Sequence, residues 1–93
     1  MSRLLDSEEI TRQLQELPDW SRDGDQIVAD FEFKDFGAAM VFVNRVAEKA
    51  EQANHHPDID IRWNKVHLVL TSHDAGGLTQ TDIELAHRIG AGD

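Results

Sequence analysis

Apolar residues recur every three or four positions in three stretches of the chain and alternate with polar ones in two paired sets of shorter runs. Asp6 and Ser7, both N-cap types, precede EEITRQLQEL, where Ile10, Leu14 and Leu17 share a helical face and Pro18 stops the helix. WSRDGDQIVADFEF then predicts a hairpin: Asp23-Gly24 is a favoured turn pair, and Ile27, Ala29, Phe31 and Phe33 alternate with polar neighbours. From Asp35 the period becomes helical again. Phe36, Met40, Val43, Ala47 and Ala50 line one stripe of a long helix over 35–53, with Ala39, Phe42 and Val46 beside it.

Asn54 and Pro57 end that helix. DIDIRW alternates strictly, placing Ile59, Ile61 and Trp63 on one face, and Asn64-Lys65 turn the chain into VHLVLTSH, where Val66, Leu68 and Leu70 alternate with His67, Val69 and Thr71. After the loop DAGG, LTQTDIELAHRI closes the pattern as a helix with Ile83, Ala86 and Ile89 inward. Helix, hairpin, helix, hairpin, helix predicts an α+β fold of order α-β-β-α-β-β-α. Its form is a two-layer sandwich, a four-stranded antiparallel sheet with three helices packed on one face. The 93 residues fit a single domain over 1–93. A chain of that size buries roughly 60–65% of its unfolded surface, enough for a core without staples.

Charge narrows the functional classes. Eighteen acidic residues against nine basic ones give a net charge of −9, with no Lys/Arg cluster to displace counterions from phosphate, so nucleic acid and anionic lipid are poor partners. No apolar run approaches the ~18 residues a membrane span needs. MSRLLDSEEI lacks the apolar stretch of a signal peptide, and the absence of cysteine excludes disulfide and thiolate chemistry. A cytoplasmic domain is expected.

EQANHHPDIDIRW, residues 51–63, holds the chemistry. Glu51 precedes His55 by one helical turn, so the pair is expected to meet on one face. His55 and His56 stand where the helix ends, a place that favours positive charge, and imidazole titrates near neutral pH. The last strand ends at His73, and Asp82 lies in the first turn of the closing helix. Each has a plainer explanation. Glu51 and His55 can be a surface ion pair, His56-Pro57 a helix stop, and Asp82 the distal member of a capping box begun by Thr79. His73 can be a polar strand end, and His67 and His87 are expected to be ordinary, partly exposed residues. Zinc and iron take such ligands, but adjacent histidines seldom face one ion and no H-x-x-x-H pair occurs, so no metal is expected. Ser72 beside His73 is no strained nucleophile elbow, and DAGGLT lacks the lysine and glycine spacing of a phosphate loop. Histidine acid–base chemistry on a small ligand survives this elimination.

Glu51, then His55-His56-Pro57, Trp63, His73 and Asp82, with their intervening gaps, resemble the signature of the pterin-4a-carbinolamine dehydratases. FKDF, NKVHLVL and LTQTDIELA are similar to that family too, and the likeness runs from LPDW at 17–20 to the final helix. It implies the same fold and a dehydratase, a lyase that eliminates water from 4a-hydroxytetrahydropterin to give quinonoid dihydropterin. That step recycles the tetrahydropterin cofactor of aromatic amino-acid hydroxylases with neither metal nor organic cofactor. It implies catalytic histidines at His55, His56 and His73, with Glu51, Asp82, Trp20 and Trp63 supporting the pocket. On that basis His55 and His73 are expected to form the acid–base pair and His56 to bind the pterin or its hydroxyl. Glu51 is expected to orient and charge His55, and Asp82 to fix the pocket from the third helix. The resemblance also implies a homodimer or tetramer through the 35–53 helix. Two alternatives come with it: a non-catalytic role as a dimerisation cofactor for a homeodomain transcription factor, and a different, molybdopterin-related pterin as substrate.

Overall fold

The computed structural model describes residues 3–90. Its elements run α1 (Ser7–Leu14), β1 (Trp20–Asp23), β2 (Gln26–Glu32), α2 (Phe36–Ala53), β3 (Asp58–Arg62), β4 (Lys65–Leu70) and α3 (Gln80–Gly90). The strands form one antiparallel sheet in the order β1-β2-β4-β3. The expected α+β order is therefore the observed one, with α2 as the connection that lets β4 insert beside β2.

Local chemistry starts each helix. Asp6 and Glu9 form a reciprocal capping box on α1, the Asp6 carboxylate accepting from Glu9 N at 2.8 Å and Glu9 Oε1 from Asp6 N at 3.0 Å. The helix ends at Leu14, short of the expected Leu17, because the residue before Pro18 disfavours helical backbone and the chain tightens into successive turns. Asp35 caps α2 by accepting from Ala38 N at 2.8 Å. Asn54 ends α2 in the left-handed region at φ 50°, and His55 N reaches back to Ala50 O at 3.1 Å in a Schellman arrangement.

Alternation in the strands sorts the sheet into a covered and an open face. Ile27 pairs Leu70, Ala29 pairs Leu68 and Phe31 pairs Val66, and this row faces the helices; Val28–Val69 and Asp30–His67 lie on the other side. On α2 the buried stripe is Ala39, Val43, Val46 and Ala50. Ala47 and Phe36, expected in that stripe, are exposed, the buried line running through Ala39 and Val46 instead. Ile83, Ala86 and Ile89 of α3 are buried as expected, together with Leu85.

The second hairpin turns one residue earlier than its composition suggests. Arg62 pairs Lys65, so Trp63-Asn64 form the loop. Asn64 is held to the end of the first hairpin by Nδ2 donating to Phe33 O at 2.8 Å and by Phe33 N donating to Asn64 O at 2.9 Å. Trp63 consequently sits in the turn at φ 52°, 65% exposed, and not on the inner face with Ile59 and Ile61.

Candidate active site

Hairpin pairing brings the candidate residues together. Asp58 faces Val69, so the residues just before β3 and just after β4 emerge side by side, His55 and His56 from one strand and His73 from the other. The N-terminus of α3 is tied to the same end, since Ser72 and Thr79 contact each other through their hydroxyls at 2.9 Å. An open cleft of about 870 Å³ lies here, lined by His55, His56, Ser72 and His73, with Leu4 and Thr81 at its margins.

Beneath the cleft lining, in contact with His55 and Ser72, lies a buried carboxylate. Asp82 has no exposed surface, and its Oδ1 stands 2.5 Å from His55 Nε2. Its Oδ2 accepts from Ser72 Oγ at 2.8 Å and from Thr79 N at 2.9 Å. An ionised carboxylate only accepts, so Nε2 of His55 carries the proton in that contact, and Nδ1 is the ring nitrogen left free among the described residues. The Thr79 N–H bond is one half of the capping box expected at α3, so Asp82 is a cap residue and a histidine anchor together. The other half is missing: the Thr79 hydroxyl turns to Ser72.

Glu51 does not meet His55. Its Oε2 lies 2.6 Å from His56 Nε2, with the two side chains 76% and 57% exposed. The i,i+4 rule holds only while the helix continues. The left-handed Asn54 redirects the chain first, swinging His55 inward to Asp82 and leaving His56 on the rim within reach of Glu51. Adjacent histidines thus face different carboxylates. His73 is exposed, lines the same cleft and makes no side-chain hydrogen bond among the described residues.

Neither tryptophan joins the cleft. Trp20 is buried beside Leu17 and the last turn of α3, paired with Ala29, and its Nε1 has no partner among the described residues. Trp63 occupies the closed end of the hairpin, about 17 Å along a five-residue strand from the histidine end. His67 and His87 lie outside the cleft, His67 on the open sheet face with Asp30 Oδ1 at 2.7 Å. Ser72 and Thr79 are the residues that sequence reasoning missed as parts of the site. Their signal was present in a hydroxyl preceding His73 and a second one opening the helix that carries Asp82.

The chain matches the family model for pterin 4 alpha carbinolamine dehydratase over residues 3–91. A protein of Thermomicrobium roseum, provisionally named pterin-4-alpha-carbinolamine dehydratase, is 58% identical over 85 residues, 91% of each chain. One of Nocardia farcinica with the same provisional name is 53% identical over 88 residues, covering 95% of this chain and 93% of its own. Among solved structures, the transcriptional coactivator/pterin dehydratase from Brucella melitensis superposes with a TM-score of 0.91 at 32% identity, over 96% of this chain and 97% of that one. A pterin dehydratase-like RuBisCO assembly factor of the alpha-carboxysome shares the fold at a TM-score of 0.63 and 19% identity, over 77% and 83%. The chain belongs to the pterin 4 alpha carbinolamine dehydratase family.

Proposed function

We propose that the protein is a 4a-hydroxytetrahydropterin dehydratase working by histidine acid–base catalysis. The observation that carries this reading is His55 seated by Nε2 on the buried Asp82, with Nδ1 free and His73 lining the same cleft. Dehydration breaks the bond from C4a to its hydroxyl, for which one group gives a proton to the departing oxygen and another takes a proton from the ring. Two imidazoles flanking a flat heterocycle supply both, each worth roughly 10²–10⁴-fold. In this reading His55 and His73 exchange the protons, and His56, steadied by Glu51 at the rim, contacts the pterin or its hydroxyl. Asp82 orients His55, the part first expected of Glu51. The product, quinonoid dihydropterin, rejoins the tetrahydropterin pool of a hydroxylase after a separate two-electron reduction by a reductase.

The setting proposed with it is cytoplasmic, since among the described residues no helix is long and apolar enough to cross a membrane and the chain has no cysteine. A homodimer through α2 would cover Phe36 and Val41, exposed by 50% and 55%. A protein-binding role without catalysis draws on those same exposed side chains and on the double description of the Brucella protein.

One assay separates the two readings. A synthetic 4a-hydroxytetrahydropterin is followed by absorbance, with wild type beside His55→Ala and His73→Ala. The enzyme reading expects a rate above buffer that falls by about 10²–10⁴-fold in each variant. A wild-type rate equal to buffer overturns it in favour of binding alone.

A further inference from the structure

We infer that Ser72 is a positioning residue that locks His55 and His73 into one unit, an inference that rests on the dehydratase reading above. A serine hydroxyl has one proton, and that of Ser72 goes to Asp82 Oδ2 at 2.8 Å. Its 2.9 Å contact with Thr79 Oγ1 must then be one it accepts. The direction of each bond follows: Thr79 O–H donates to Ser72 Oγ, Ser72 O–H to Asp82 Oδ2, and the His55 Nε2–H to Asp82 Oδ1. All three supporting side chains are buried, at 9%, 1% and 0% exposure, where water does not replace a lost partner.

The backbone of the same residue organises the loop that carries His73. Ser72 N donates to Gly77 O at 3.0 Å, and Ser72 O accepts from Ala75 N at 3.1 Å and Gly76 N at 3.0 Å. Those bonds close the loop over 72–77, in which His73 is the second residue and Gly76 takes a φ of +80°. One residue therefore sets the carboxylate under His55 with its side chain and the loop bearing His73 with its main chain. Removing the hydroxyl leaves Oδ2 with Thr79 N alone and takes away the acceptor of the Thr79 hydroxyl. The carboxylate is then free to rotate, and the ring it carries loses its angle to His73.

The test uses the full chain, with Ser72→Ala, Ser72→Thr and Thr79→Val compared by kinetics on the synthetic pterin and by NMR of the His55 Nε2–H. In Ser72→Ala, kcat is expected to fall on the order of 10–100-fold with KM within about twofold, because orientation and not ground-state binding is lost. The Nε2 proton should exchange faster with water. Ser72→Thr, which returns a hydroxyl at the same atom, should restore both readouts. Thr79→Val, isosteric and still carrying the N–H that Asp82 accepts, should give a smaller loss of the same kind. The proposal is overturned by a Ser72→Ala kcat within about twofold of wild type, by unchanged exchange at His55, or by a loss that Ser72→Thr fails to restore. A wild type without any rate above buffer sinks the dehydratase reading alone, because proton exchange still decides whether Ser72 holds His55.

Discussion

His55 and His56 are neighbours in the chain, each with a ring nitrogen within 2.6 Å of a carboxylate, yet they occupy different physical worlds. His55 lines the cleft floor at 17% side-chain exposure and Asp82 lies beneath it at 0%, its carboxylate accepting two further hydrogen bonds. The His56–Glu51 pair stands at the rim at 57% and 76%, with water free to replace either partner. Contact distance does not separate them. What separates them is how many other bonds hold the carboxylate and whether water can take over a lost one: Asp82 is buried and held by Ser72, Thr79 and His55 together, whereas the exposed Glu51 side chain exchanges a lost partner for water.

Matched neutral substitutions break or sustain that contrast. The largest effect is expected for Asp82→Asn. Asp82 receives donors on both oxygens, from Ser72 and Thr79 on one and His55 on the other. An amide offers one oxygen and one NH₂, so one side must become donor against donor. With Ser72 and Thr79 keeping the oxygen, the NH₂ faces His55 and forces the other tautomer, with the proton moved to the cleft-facing nitrogen. The rate above buffer should drop about 10²–10⁴-fold through that wrong tautomer. Urea unfolding should show a loss of roughly 1–3 kcal/mol for the weakened buried network. Imidazole ¹⁵N shifts report the tautomer directly, and an unchanged His55 tautomer with an unchanged rate would remove the distinction between floor and rim.

Glu51→Gln is the companion experiment and a smaller one. Gln keeps the helix propensity of α2 and an oxygen that still accepts from His56. The expected change is within about 0.5 kcal/mol in stability, as for exposed ion pairs, and about threefold or less in rate, far below the floor variant. A loss as large as that of Asp82→Asn would show that the rim carries the chemistry and that Glu51 governs it after all.

The same contrast explains what was legible in the sequence. Element order was, because periods of two and of three to four cannot be confused over runs as long as β4 or α2. The convergence of the candidate residues was legible in part: His55, His56, His73 and Asp82 come together in one region. Their pairing was not, because a single left-handed residue at Asn54 decides which carboxylate each histidine meets, and helical spacing ends there. The tryptophans misled for a related reason. Trp63 extends the alternation of β3 in sequence, but the Asn64–Phe33 bonds centre the turn on it. Ser72 and Thr79 passed as strand end and helix cap because a hydroxyl gives no sign in sequence of which carboxylate it will serve.

The smallest effect comes from a third carboxylate, which is partly exposed, between Glu51 and Asp82, but held by several bonds like Asp82. Glu9 pairs with Arg3 through two contacts, 3.1 and 2.8 Å, and its Oε1 also accepts from Asp6 N in the α1 capping box. The Arg3 guanidinium hydrogen bond, aided by the Asp6 backbone N–H, lowers its carboxyl pKa to about 2 from an ordinary 4.5. A depressed acid contributes stability that is complete above its unfolded pKa and disappears as pH falls through the folded one. Wild type and Glu9→Gln should therefore differ in urea midpoint at neutral pH, with the gap narrowing below about pH 4.5 and closing near pH 2. The gap should also shrink in high salt, because the pair is on the surface and screened. A gap independent of both pH and salt would assign the effect of Glu9 to its neutral capping geometry. Hydrogen bonding, and not charge, would then be what distinguishes a held carboxylate from a loose one at the surface as well as beneath the cleft.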